Sequence, residues 1–461
     1  MKTTRTLWFF GLMAVAPLSV QASSLLDIYE LALKNDAQLQ ADEAAYEAGR
    51  ENRNLGRSAL LPQINARAFY ESSENNTRNR LSDDPEDSGA FEQDTSGWEI
   101  SLTQTLFDMS AWYDYQRGGT LSELAEVQFG ADQQSLIVRV AEAYFNVLRA
   151  IDTLESAKAE ERALQQQLEQ TEQRYEVGLT AITEVHEARS VFDSAAATAL
   201  QARGNLGIAY EALEVLTGRS HDRIVPLDDD FAVVNPQPAD RHEWVEFALE
   251  NNYQLKAARL GARAAEQTSK SQRAQHLPTL TGNASYSERQ REGTEFFGQP
   301  IPIDTRTDGH SFGITLNVPL FSGGGTSAQR RQANAEHLQA KADLNRSQRN
   351  VVQSARSLHL SVETGVSQVR AREQAIVSAE SALEATQSGY EVGTRNLVEV
   401  LLAQRAVYQA QRDYYNALYD YVIDSFQLRE VAGMLTPADV QTIDASLDRN
   451  STVRRSDFDL Q

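Results

Sequence analysis

The sequence predicts a mixed fold of long α-helices and membrane β-strands, four strands to a chain, arranged as two tandem structural repeats. Three observations predict it: a unit that occurs twice, helical stretches too long for a compact core, and short stretches that alternate apolar and polar residues. Residues 174–185 (RYEVGLTAITEV) and 389–400 (GYEVGTRNLVEV) are identical at six of twelve positions and lie 215 residues apart. Residues 28–41 (IYELALKNDAQLQA) match 244–257 (WVEFALENNYQLKA) at seven of fourteen, 216 apart, and Leu61-Pro62 answers Leu277-Pro278 at that spacing. A near-constant offset marks a duplicated unit, so every later element is expected in pairs. The expected divisions are 23–226 for the first repeat, 227–240 for a linker, 241–434 for the second repeat and 435–461 for a polar C-terminal tail.

Residues 1–22 read as a secretory signal peptide. Lys2 and Arg5 precede an apolar run from Leu7 to Val20, and Val20-Gln21-Ala22 supplies small residues at a cleavage site. Cleavage after Ala22 takes the net charge from −22 to −24. Acidity of that size disfavours nucleic acid, whose phosphates need basic surface. The chain has no cysteine, which excludes disulfides, thiolate catalysis and a lipidated amino-terminal cysteine. No stretch of the mature chain offers about 18 consecutive apolar residues, so any membrane crossing must use strands.

The helices follow from composition. Residues 112–175 and 326–390 are rich in Ala, Gln, Glu, Leu and Arg and contain no proline. As helices each would be about 100 Å long. That length implies coiled-coil-like packing, because no compact domain buries such a rod. Residues 37–60 and 181–217 form the shorter pair in the first repeat, and 255–277 and 396–431 in the second. Two short helices of these lengths would stack end to end beside one long one.

Strands are expected near 62–71, 97–107, 278–287 and 310–321. Ile64, Ala66, Ala68 and Tyr70 alternate with Asn65, Arg67, Phe69 and Glu71, and Trp98, Ile100 and Leu102 with Glu99, Ser101 and Thr103. Leu280, Gly282, Ala284 and Tyr286 alternate with polar residues, and Phe312, Ile314, Leu316 and Val318 with Gly313, Thr315 and Asn317. Period two over about ten residues suits a tilted membrane-spanning strand. Pro62 and Pro278 stop the preceding helices and favour extended chain. Residues 72–96 and 288–309 read as long, polar, solvent-exposed hairpin loops. Tyr70, Trp98, Phe107, Trp112 and Phe321 are candidates for an interfacial aromatic belt. Four strands cannot close a membrane barrel, for which about eight is the usual minimum. An open edge in lipid leaves backbone groups unpaired, so the barrel must be shared between copies of the chain. Two copies would supply eight strands and three would supply twelve.

The signal peptide, the strand pairs set between helices, the tandem repeat and the paired YEVG tips together resemble the TolC family of outer-membrane channel proteins. The resemblance covers roughly residues 24–433. It implies a homotrimer whose twelve-stranded barrel lies in outer-membrane lipid and continues into a long α-helical barrel through the periplasm. It also implies an exit duct for efflux or type I secretion, docking with a periplasmic adaptor (membrane fusion) protein and an inner-membrane ABC or proton-driven transporter. No cofactor or metal is implied, and the linker at 227–240 would form part of an equatorial collar.

The two tips are the candidate site. Gly178 and Gly393 end the long helices where the chain reverses, a position that favours positive φ. Glu184 and Glu399 follow at matching positions. The residues leave two readings of them: solvated, dipole-favoured acids in a first helical turn, or carboxylates ringing a narrow mouth. The resemblance implies the second. It places Tyr390 and Arg395 on one side of a closed gate with Thr183 and Glu184 as their mates. Glu399 becomes a constricting acid and Leu402 stands where the family pattern has a second one. It also makes Val177, Gly178, Leu179, Val392, Gly393 and Thr394 the surface met by the adaptor. Arg395→Ser or Tyr390→Phe is then expected to loosen the mouth. The seven histidines show no paired-ligand spacing, and Gly323-Gly324-Gly325 lacks the Lys and Ser/Thr of a phosphate loop. The rival class is a trimeric coiled-coil structural or adhesive envelope protein; for an enzyme there is no constellation.

Overall fold

The computed structural model describes residues 23–78, 88–228, 230–296 and 300–458. The signal peptide expected at 1–22 lies outside the described residues. In the first half, α1 (Leu25–Asn35), α2 (Ala37–Arg50) and α3 (Asn52–Ser58) precede β1 (Gln63–Arg78) and β2 (Ser88–Phe107). Two long helices follow, α4 (Met109–Glu176) and α5 (Ile182–Thr217), then the short strand β3 (Arg223–Ile224). The second half runs α6 (Arg241–Asn251), α7 (Tyr253–Ala274), β4 (Thr279–Phe296), β5 (Pro300–Asn317), α8 (Gly325–Glu391) and α9 (Leu397–Val431). The chain ends with α10 (Pro437–Asp444), β6 (Val453–Arg454) and a 3-10 turn over Arg455–Phe458. The helix expected over 37–60 is divided at Glu51 into α2 and α3. No described helix is long and apolar enough to cross a membrane.

The described residues form two compact units, each drawn from both halves: those from 23–40, 133–250 and 353–458 in one, those from 41–132 and 251–352 in the other. The second of these holds a four-stranded antiparallel sheet of order β1-β2-β4-β5. Its register sorts side chains into two faces. Ile64, Leu102, Ala284 and Phe312 share one cross-strand row, and Ala66, Ile100, Tyr286 and His310 the next row on the same face. Between them runs a polar row on the opposite face, Asn65, Ser101, Ser285 and Ser311. The apolar face is bare in one chain: Ile64, Ile100, Phe312, Ile314 and Leu316 are all exposed. Trp98 closes the apolar rows at one end, its ring 5.4 Å from that of Tyr286. Among the helices of the same unit, Tyr46 stacks on Phe129 and Ser110 bonds Ser271 at 2.9 Å.

The strands depart from the sequence expectation in length. Residues 72–78, 88–96, 288–296 and 300–309, expected as loop, are strand, while 318–321, expected as strand, is not. The apolar alternation marks only the band past which the ladder continues. Beyond Trp98 the rows turn polar (Tyr70, Ser96, Gln290, Arg306), yet backbone pairing persists because it depends on N–H and C=O groups.

The other unit contains the thickest core. Tyr144, Phe145, Leu148, Ile151 and Leu154 of α4 and Leu206, Tyr210 and Leu213 of α5 are essentially inaccessible. A ladder of polar bonds ties α4 to α9: Glu142 to Gln427 (2.8 Å), Arg149 to Asp420 (2.5 Å), Tyr419 to Asp152 (2.5 Å) and Arg412 to Glu160 (2.9 Å). Helix α1 starts at a capping box made by Ser24 and Asp27 and packs against α5 and α10. The C-terminal segment is structured through Phe458, whose side chain is buried. It meets the linker by a Leu227–Leu447 bridge and by the bonds Asp228 N to Ser446 O and Asp448 N to Pro226 O.

Candidate functional site

Both long helices end in the same backbone turn. At the first tip Gly178 has φ 76°, its N–H bonds Tyr175 O at 2.9 Å, and Leu179 N bonds Arg174 O at 2.8 Å. At the second Gly393 has φ 77°, its N–H bonds Tyr390 O at 3.0 Å, and Thr394 N bonds Gly389 O at 2.8 Å. A left-handed residue closed by a six-to-one bond satisfies the last free carbonyls of a helix, and glycine adopts it without a Cβ penalty. The apolar side chains around each turn stand in solvent: Val177, Leu179 and Val392 are 70%, 70% and 75% exposed. Thr394 differs in turning its hydroxyl back to Gly389 O, 3.0 Å away.

The restarts of the helices differ. At α5 the N-cap residue Ala181 offers no side-chain bond, and Glu184 in the first turn accepts from the Thr180 hydroxyl instead. At α9 Asn396 caps the helix by accepting from Glu399 N, and its amide donates to Glu399 Oε1 at 3.0 Å. The other carboxylate oxygen of Glu399 takes Arg395 Nη1 at 2.6 Å. Both oxygens of this acid are thus engaged, one by a cation. Thr183 and Leu402 are exposed.

Within one chain, then, Arg395 closes on Glu399 and Glu184 closes on Thr180, so these groups pair inside their own hairpins. Tyr390 alone among the expected gate residues reaches across. It packs on an apolar cluster of Leu164 and Leu168 from α4, Val185, Ala188 and Ala195 from α5, and Leu397 and Leu401 from α9. The guanidinium of Arg174 lies over its ring, 5.0 Å from the centroid. Burial pushes the Tyr390 phenol above its ordinary range, opposed by the Arg174 charge and aided by Glu184. The sequence did not single out Arg174 or Asn396, whereas Thr180, set against Arg395, was already legible as a position where the repeat diverges. For Arg174 the signal it held is the mismatch with Gly389 immediately before the shared YEVG stretch. No described group of His, Asp and Glu is placed to hold a metal ion.

Residues 28–219 and 244–434 match the outer membrane efflux protein family, each stretch containing one of these tips. The chain belongs to that family. The outer membrane protein TolC of Vibrio cholerae serotype O1 is 37% identical over 436 residues, covering 93% of this chain and 95% of that protein. The alkaline protease secretion protein AprF of Pseudomonas aeruginosa is 32% identical over 456 residues, covering 97% and 92%. Among solved structures, the CmeC outer membrane channel of Campylobacter jejuni matches with a TM-score of 0.72 at 16% identity, over 97% of this chain and 98% of that one. That last likeness concerns the fold. The family expected from the YEVG tips and the strand layout is the family found. Its members are outer-membrane transport proteins, and this chain is an exit duct of an export system.

Proposed function

We propose that three copies of the chain form the outer-membrane component of a tripartite export system, conducting drugs or secreted proteins passively from an inner-membrane transporter to the outside. The observation that supports a barrel shared between copies is the sheet. Among the described residues β1 pairs only with β2 and β5 only with β4, so one chain has two free edges and a bare apolar face. In lipid each unpaired backbone group costs several kcal/mol, and joining edge to edge between copies removes that cost. Three copies close a twelve-stranded barrel with Ser and Asn rows facing a wet lumen, wide enough to conduct. The helices form the periplasmic barrel, with residues 227–240 and the C-terminal segment as its collar. Residues 1–22 direct the chain out of the cytoplasm and are then removed.

The tips are the periplasmic mouth. Tyr390, Arg395, Thr183 and Glu184 hold it closed, Glu399 and then Leu402 line its constriction, and no metal is needed there. The exposed Val177, Gly178 and Leu179, with Val392, Gly393 and Thr394, offer an apolar surface to the hairpins of a periplasmic adaptor. The test is electrical. The purified protein, reconstituted in planar bilayers, is expected to give discrete single-channel currents that grow in Arg395→Ser. Silent bilayers with both proteins, despite inserted trimers, would sink the duct reading.

A further inference from the structure

Several charged groups at the two tips pair within their own hairpins. Arg395 holds Glu399, Glu184 accepts from Thr180, and Arg189 of α5 holds Glu172 of α4 at 2.6 Å. Arg174, in the last turn of α4, instead reaches the second hairpin and covers the Tyr390 ring. The Tyr390 hydroxyl is buried and has no hydrogen-bond partner among the described residues. What α8 presents to the first hairpin at this point is therefore the face of a ring. The ring's other neighbours are apolar, in the cluster around Leu164, Leu168 and Leu397.

A cation over an aromatic face is attracted by the ring quadrupole, modestly at an exposed position such as Arg174. A planar guanidinium also stacks on the ring, which an ammonium cannot do. Withdrawing the second hairpin must pull Tyr390 out of the apolar cluster and off Arg174 together. We propose that Arg174 is a positioning residue of the gate, a latch that grips the Tyr390 ring and holds the second hairpin against the first while the mouth is closed. The inference rests on the tips being the mouth of the duct. It assigns the grip to the ring, separately from any bond the hydroxyl makes to a neighbouring copy.

The experiment is leak conductance of the reconstituted channel. Arg174→Gln is expected to raise the open-to-closed ratio by about two- to fivefold for each protomer's latch. Arg174→Lys, which keeps the charge but loses the planar stacking, restores only part of the closure. In a Tyr390→Phe background, where the ring remains, Arg174→Gln still raises the leak; in a Tyr390→Leu background it adds nothing. Unchanged leak in Arg174→Gln, with Arg395→Ser leaky, overturns the latch and leaves the gate standing. Equal increments from Arg174→Gln in the Leu and Phe backgrounds also overturn it. If Arg174→Gln, Tyr390→Leu and Arg395→Ser are all silent in assembled trimers, the mouth reading falls with it. Because Arg174 is exposed, its variants are expected to fold; unchanged far-ultraviolet dichroism and trimer mass exclude a merely structural cause.

Discussion

The two tips share a backbone and divide their side-chain duties. Where the first carries Arg174 the second carries Gly389, and a Cβ there would come within 2.7 Å of Arg395 Cγ. The arginine of one tip thus grips across the hairpins, while the glycine of the other makes room for an arginine that folds onto its own helix. Arg395 pairs with Glu399, so, on the proposed reading of the tips as the mouth, Arg395→Ser removes that pair and unmasks a carboxylate there. It is expected to raise leak conductance and shift selectivity toward cations, read as a displaced reversal potential in a salt gradient. A larger leak with no change in selectivity would take Glu399 off the permeation path. The acids, arginine and tyrosine were legible from the repeat and the resemblance. Their intrachain partners were not, because a partner depends on rotamer and on which hairpin lies within reach.

His221 is a second residue with a testable consequence. Its ring nitrogens lie 3.1 Å from Ser23 Oγ and 2.8 Å from Thr217 Oγ1, and burial lowers its pKa below the ordinary 6.5. The folded state therefore holds the imidazole neutral at pH values where the unfolded chain binds a proton. Its contribution to stability is complete above about pH 6.5 and declines as pH falls toward the lowered folded pKa. Hydrogen exchange of residues 23–32 is expected to accelerate as pH falls below about 6.5, beyond the intrinsic pH effect, and to lose that dependence in His221→Gln.

At the scale of elements, helices were the easiest to read. Composition alone placed residues 112–175 and 326–390 in helix, and the observed α4 and α8 extend those ranges by only a few residues at each end. What composition could not show is how α4 and α9 are joined. Glu160 is 7% exposed and faces Arg412 at 2.9 Å and Arg405 at 3.8 Å, partners about 250 residues away in sequence. Removing one cation leaves a buried carboxylate poorly compensated. Arg412→Met is expected to destabilise the α4–α9 contact by about 2–3 kcal/mol. Faster exchange at residues 155–165 of α4 would report it, whereas exchange as in the parent would make the pair a surface ornament.

For the whole molecule, the sheet carries the consequence. Phe312 and Ile314 stand on its bare apolar face, and a basic residue near the bilayer midplane costs about 2–4 kcal/mol. If the proposed trimer presents this face to lipid, Phe312→Arg cuts the yield of membrane-inserted oligomer severalfold while helical dichroism of the purified chain stays unchanged. Normal yield would mean that this face does not meet lipid.

By itself the sequence determined the duplicated plan, the long helices, the reversals at Gly178 and Gly393 and the apolar band of the strands. Each is written in local composition or in a period of two, and needs no knowledge of distant neighbours. The tertiary structure decided the strand lengths, the order β1-β2-β4-β5 and the choice of partner for each charged group at the tips. Backbone ladders run on through polar residues, and β2 meets β4 across a long stretch of intervening helix. Those outcomes follow from where the folded chain brings groups together, which local pattern does not encode.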